Sequence, residues 1–123
     1  MEREEVPTPT ILIVEDEVLF RVELADLFES SGYRVVEAGD SDEATAILDQ
    51  DPTIRIVLTD IQMPGSMDGL RLGHYVRAHF PPVTLVIASG AHRPDPEDLP
   101  ERSLYLSKPF NPFMLLRRLN EFA

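Results

Sequence analysis

The chain contains no cysteine, which excludes disulfide frameworks, thiolate zinc sites and thiol catalysis together. The redox compartment stays open. Positive charge is also scarce: 11 basic residues face 22 acidic ones, for a formal net charge of −11. Such a surface repels a phosphate backbone over most of its area, so direct nucleic-acid binding is not expected; a cation or a basic partner suits it better. Lysine occurs once, at Lys108, and the other basic residues are arginine. No stretch approaches the roughly 20 apolar residues of a membrane-spanning helix. Met1–Pro9 is acidic and proline-bearing and lacks the apolar centre of a signal peptide. The expected location is the cytoplasm, without membrane contact.

With 123 residues, 43% of them apolar and 27% charged, the composition fits one globular domain with a single core that folds without a disulfide or a metal. A flexible tail over residues 1–9 is expected to precede a domain over 10–123. From Thr10 onward, short apolar runs alternate with amphipathic stretches, as parallel strands joined by crossover helices do. The strand candidates are Thr10–Val14, Arg34–Glu37, Arg55–Thr59, Thr84–Ala88 and Ser103–Leu106. Residues 11–14, 56–58 and 85–88 are apolar throughout, which predicts central strands covered on both faces.

Four apolar stripes mark the helices: Phe20, Leu24, Leu27 and Phe28; Ala44, Ile47 and Leu48; Leu72, Val76 and Phe80; Leu115, Leu116, Leu119 and Phe122. Gly32 suits a left-handed cap after the first helix, Asp40 or Ser41 can cap the second, and Asp68 the third. The fourth connection differs. Ala91–Pro100 carries Pro94, Pro96 and Pro100, which limits it to a loop or a single turn starting near Pro96. The fold expected is a doubly wound, five-stranded parallel sheet of order 2-1-3-4-5, with ligands outside the carboxyl ends of its strands.

Those ends carry the polar residues. The first strand runs into Glu15, Asp16 and Glu17, the third into Asp60, the fourth into Ser89 and the fifth into Lys108-Pro109. Strands one and three are neighbours at the topological switch point, which brings Asp16 and Asp60 together. Two carboxylates at about 4 Å repel by roughly 4 kcal/mol at an effective dielectric of 20, a cost that a cation can remove. Hard oxygen donors in a solvent-facing crevice suit Mg²⁺. Asp16 and Asp60 are the expected direct ligands, Glu15 can act through a water, and the backbone carbonyl of Gln62 can supply a further oxygen. Ser89 and Lys108 are expected on the other side of Asp60, as donors to a phosphoryl group carried by it. Singly these signals are weak, since a lone acidic pair is usually a solvated loop and a lone Lys-Pro a turn. Together they fall at the ends of four expected strands in a chemically coherent set.

The runs ILIVEDE at 11–17, LTDIQMPGSMDGL at 58–70, VIASG at 86–90 and LYLSKPF at 104–110 resemble the receiver domain of bacterial two-component response regulators, from Thr10 to the end of the chain. The resemblance implies a flavodoxin-like receiver fold, Asp60 as phosphoacceptor, Glu15 and Asp16 as the acidic pair for Mg²⁺, Ser89 as the switch hydroxyl and Lys108 as the phosphoryl contact. Tyr105 matches the family's aromatic switch position. It also implies a phosphohistidine donor, either a sensor histidine kinase or a phosphotransfer protein, and a downstream protein that the sequence does not name. A monomer or weak homodimer is expected. Two departures stand out: the turn MPGSMDG is one residue longer than the commonest form, and the proline-rich 91–100 replaces the family's fourth helix, part of its usual output face.

The rival readings are a receiver-like adaptor that works without phosphorylation and a Mg²⁺-dependent aspartyl-phosphate phosphatase. Degeneration to an adaptor should damage the site, yet every member is present. A phosphatase wants a general acid two residues after its nucleophile, where this chain has Gln62 after Asp60 and Val18 after Asp16. His74, His79 and His92 read as surface residues, as do Arg117 and Arg118. Met63 and Pro64 read as a turn, and Phe110 as packing under the last helix.

Overall fold

The computed structural model of the chain describes residues 9–63, 65–90 and 93–121. The expectations for the tail, Pro64, His92 and Phe122 lie outside them, wholly or, for the tail, up to Pro9. The elements run β1 (Thr10–Val14), α1 (Val18–Ser30), β2 (Arg34–Ala38), α2 (Ser41–Gln50), β3 (Ile54–Asp60), α3 (Gly69–His79), β4 (Thr84–Ser89), a 3₁₀ turn (Pro96–Asp98), β5 (Ser103–Ser107) and α4 (Pro112–Glu121). All strand pairs are parallel, in the order β2-β1-β3-β4-β5. No helix among the described residues is long and apolar enough to cross a membrane.

Alternation along the central strands builds two cores, one on each face. Ile11 and Ile13 of β1, Ile56 and Leu58 of β3 and Val86 of β4 pack with Leu24 and Phe28 of α1 and Leu115, Leu116 and Leu119 of α4. Their neighbours Leu12, Val14, Val57, Leu85 and Ile87 pack on the other face with Ala44 and Leu48 of α2 and Leu72 and Val76 of α3. A strand buried on both faces must be apolar at every position, which is why these runs read as continuous.

The helix ends follow local chemistry. Gly32 takes a φ of +95° after α1, a conformation costly for residues with a Cβ. Asp40 accepts from the Glu43 amide at 2.8 Å and Asp68 from the Arg71 amide at 2.9 Å, each satisfying an otherwise orphaned donor. Among the described residues between β4 and β5, the one helical turn is the three-residue turn starting at Pro96. This segment is tied to α3: His74 Nε2 hydrogen-bonds the Asp98 carbonyl at 2.7 Å, and Arg77 Nε donates to the Glu101 carbonyl at 2.8 Å.

Candidate functional site

The parallel register sets the ends of β1, β3 and β4 side by side. Val14 pairs with Thr59, and Asp60 pairs with Ala88. The next residues, Glu15 after β1 and Ser89 at the end of β4, therefore flank Asp60 from its two neighbouring strands. Carboxylate oxygens of Glu15, Asp16 and Asp60 all lie within 4.8 Å of one another. Oxygen donors this close suit a small hard divalent cation.

The three carboxylates differ in environment. Asp16 is exposed, Asp60 half-buried, and Glu15 only 3% exposed. Glu15 has both oxygens engaged: Oε1 accepts from Lys108 Nζ at 2.7 Å and Oε2 from the Glu17 amide at 3.0 Å. Burial pushes its carboxyl above the ordinary range, against the opposing pull of Lys108 and the Glu17 amide, with the charge of Asp60 adding to the rise. Asp16 is thus the carboxylate turned toward solvent, Glu15 faces inward, and Asp60 lies between them in exposure.

Lys108 departs from the sequence-based expectation, which set it apart from the acidic group. Its ammonium bridges the two carboxylates, 2.7 Å from Glu15 and 3.2 Å from Asp60 Oδ2. It also sits 4.7 Å from the centroid of the Phe20 ring, a favourable cation–π distance. Phe20 in turn meets Phe110 edge-on, with centroids 6.1 Å apart, and Phe110 packs against the core cluster that holds Leu115 and Leu116. Burial alone would lower the Lys108 pKa, but its hydrogen bonds to Glu15 and Asp60 outweigh that and raise it. The repulsion between these two carboxylates is relieved, at least in part, by the chain's single lysine. The Lys108–Pro109 peptide bond is cis.

Ser89 is buried, and its carbonyl accepts from the Lys108 amide at 2.9 Å, which couples the ends of β4 and β5. Tyr105 of β5 is half-buried against the α2–α3 core, with Arg93 5.3 Å from its ring centroid. Gln62 is exposed two residues past Asp60.

Three supporting contacts were not foreseen from the sequence. Arg21 Nη1 donates to the Glu15 carbonyl at 2.8 Å while its Nε pairs with Glu37 at 3.1 Å, fixing the turn that carries the acidic pair. The long loop after β3 is laced to α2: the Met67 amide donates to Ser41 Oγ at 3.1 Å, and Ser66 Oγ donates to Asp42 at 2.6 Å. Gly69, the first residue of α3, packs directly on the backbone of Asp60. Only the second glycine of MPGSMDGL hinted at such a close approach.

His74, His79, Arg117 and Arg118 are exposed, as expected for surface residues. His79 stacks on Tyr75 at 4.1 Å between centroids.

Comparison with known proteins matches residues 11–120 to the family described as the response regulator receiver domain. The chain is 39% identical over 108 residues to the aerobic respiration control protein ArcA of Escherichia coli (strain K12), covering 85% of this chain and 44% of that one. It is 32% identical over 108 residues to the transcriptional regulatory protein PdtaR of Mycobacterium tuberculosis (strain ATCC 25618 / H37Rv), covering 82% and 50%. The chain therefore spans half or less of the length of these curated relatives. Among solved structures, the receiver domain of the hybrid histidine kinase CckA is 31% identical, with a TM-score of 0.76 and coverage of 91% and 96%. A response regulator receiver protein from Sinorhizobium medicae WSM419 has a TM-score of 0.84 at 24% identity, with 93% of each chain covered; that likeness bears on the fold alone.

Proposed function

The chain belongs to the response regulator receiver family of two-component systems, and from that membership we propose that Asp60 accepts a phosphoryl group from a phosphohistidine. The observation that carries this reading is the carboxylate of Asp60 at the end of a central strand, with Glu15 and Asp16 oxygens within 4.8 Å and Lys108 Nζ at 3.2 Å. In the transfer, a carboxylate oxygen of Asp60 forms the new O–P bond as the N–P bond to the donor imidazole breaks, and the leaving nitrogen keeps the electron pair. The oxygen-only donor set fits Mg²⁺, which Asp16 and Asp60 would hold, with Glu15 and the Gln62 carbonyl as further oxygens near it. When bound, the ion neutralises charge on the carboxylates and on the incoming phosphoryl oxygens.

The chain's own groups supply the rest. Lys108 is already hydrogen-bonded to Asp60 and needs only a small swing from Glu15 to reach a phosphoryl oxygen. Phe20 keeps its ammonium on that side of the crevice. The Ser89 hydroxyl moves toward the phosphoryl group, and Tyr105 turns into the space released, exchanging its contact with Arg93. The result is a changed surface over β4 and β5, which a downstream protein reads.

The donor, a histidine kinase or a phosphotransfer protein, docks over the mouth of the site. Val18, Leu19 and Val22 of α1 and Phe113 and Met114 of α4 are exposed apolar residues on helices that both start at this edge of the sheet. Exposed apolar groups gathered at a functional rim suit a protein partner.

Intact mass spectrometry after incubation with Mg²⁺ and a small acyl-phosphate donor tests the reading. A metal-dependent gain of one phosphoryl group, absent from Asp60→Ala, is expected. A folded protein that gains nothing, beside a receiver that labels in parallel, would favour an adaptor that works without phosphorylation.

A further inference from the structure

Arginines gather at the end of the sheet away from the acidic site. Arg77, Arg102 and Arg118 converge on one cleft of about 510 Å³ between the C-terminal end of α3, the starts of β4 and β5, and α4. Measured along β4 from Thr84 to Ser89, this cleft lies about 17 Å from the phosphoacceptor end. No carboxylate is among its lining residues.

The three arginines do different things. Arg77 is structural: its guanidinium donates to the carbonyls of Pro81, Val83, Glu101 and Arg102 at 2.7 to 3.3 Å. Neutral carbonyls satisfy its hydrogen bonds but leave its positive charge in the cleft. Burial and the neighbouring charge of Arg102 accordingly pull its pKa down, with Glu101 opposing. Arg102 and Arg118 are exposed and form no ion pair among the described residues. Arg102 is held at a φ of +57° in the turn before β5, a left-handed backbone conformation unfavourable for a residue with a Cβ. The end of α4 favours a cation at Arg118, but that does not account for its convergence with two others in a chain of net charge −11.

We propose that this cleft binds a small organic phosphate. Arg102 and Arg118 take the phosphate oxygens, for which planar guanidinium forks are matched. Arg77 supplies a fixed positive potential behind them, and Pro81, Pro82 and Leu104 form an apolar wall for the organic group. The site is independent of Asp60.

Amide NMR titrations of the full chain, in chelator and at constant ionic strength, test the proposal with phenyl phosphate and inorganic phosphate as probes. Saturable shifts at Thr84, Arg102 and Ser103 are expected, with phenyl phosphate binding at least tenfold more tightly. Arg102→Asn combined with Arg118→Gln should weaken both probes at least tenfold, while Asp60→Asn leaves them unchanged. Asparagine is chosen because it tolerates the left-handed backbone, and Arg118→Gln alone serves if the turn variant does not fold. Shifts that never saturate, that survive loss of the arginines, or that vanish in Asp60→Asn would overturn the site. Equal affinity for the two probes would overturn the apolar half of it.

Discussion

Gly69 lies so close to the backbone of Asp60 that a Cβ added to it would stand 1.7 Å from the Asp60 carbonyl oxygen. Its own amide donates to the Ile61 carbonyl at 2.8 Å, so α3 begins pressed against the end of β3. Alanine in a helix gains about 1 kcal/mol over glycine in intrinsic propensity. Here that gain is outweighed, because the obstacle is backbone rather than a flexible side chain, and overpacking costs about 1–3 kcal/mol or more. Gly69→Ala should therefore lower the urea midpoint and slow phosphorylation of Asp60 together. A variant as stable as the parent and labelled at the same rate would show that the helix moves away freely.

Lys108 pairs with Asp60, a carboxylate that a divalent cation at the acidic cluster would share. Its ammonium and a bound ion repel, an effect of roughly 4 kcal/mol per pair of unit charges at 4 Å and a dielectric of 20. The lysine side chain is 21% exposed, and solvent screening reduces this to about 1 kcal/mol. Lys108→Met should accordingly tighten Mg²⁺ binding about fivefold in a calorimetric titration while sharply slowing phosphoryl transfer to Asp60. Saturating Mg²⁺ at 100 times its dissociation constant should add about 2.7 kcal/mol of stability to the parent chain. A melting temperature unmoved by Mg²⁺ would count against the acidic site as a metal site.

Tyr33 gives the fold an alkaline dependence. Its hydroxyl donates to Asn120 Oδ1 at 2.9 Å, joining the entry of β2 to the end of α4, and its ring meets Phe28 edge-on. Burial raises its pKa above the ordinary value, so the folded state holds the phenol proton more tightly than the unfolded chain. The stability this contributes is complete below about pH 10, the ordinary tyrosine value, and is lost as pH rises from there through the folded-state pKa. Tyr33→Phe should cost about 1 kcal/mol at neutral pH through the lost hydrogen bond. Urea midpoints of the two proteins should converge above pH 10; a constant difference there would sink this account.

The strands, their order and the residues at their ends were legible because each depends on local pattern or a general topological rule. Continuous apolar runs at 11–14 and 85–88 mark strands buried on both faces, and parallel order then gathers Glu15, Asp16, Asp60, Ser89 and Lys108 at one edge. Contacts that need a distance rather than a pattern were not legible. Nothing local to Lys108 says that its ammonium rests on Phe20, 88 positions earlier in the chain, or bridges Glu15 to Asp60. Arg21 reads as an ordinary helical surface arginine until its guanidinium is found on the Glu15 carbonyl. The proline-rich connection was predictable as a short turn, but its lacing to α3 through His74 and Arg77 depends on tertiary packing.

The exposed apolar rim makes a prediction that separates docking from chemistry. Leu19 is 75% exposed and Phe113 68%, each near the start of a helix that begins beside the acidic site. The contact between Phe20 and Phe110 draws those two starts together. Leu19 and Phe113 are apolar and exposed and offer the carboxylates no hydrogen bond, so charge placed on them should not alter the intrinsic reactivity of Asp60. A buried apolar anchor at a protein interface is worth about 1–2 kcal/mol or more, and an added carboxylate must also be desolvated. Leu19→Glu and Phe113→Glu should therefore each slow labelling by a phosphorylated phosphotransfer protein about tenfold or more, while the rate with a small acyl-phosphate donor stays that of the parent. Equal slowing with both donors would move the effect from docking to the site itself, and no slowing with the protein donor would remove this rim as its docking surface.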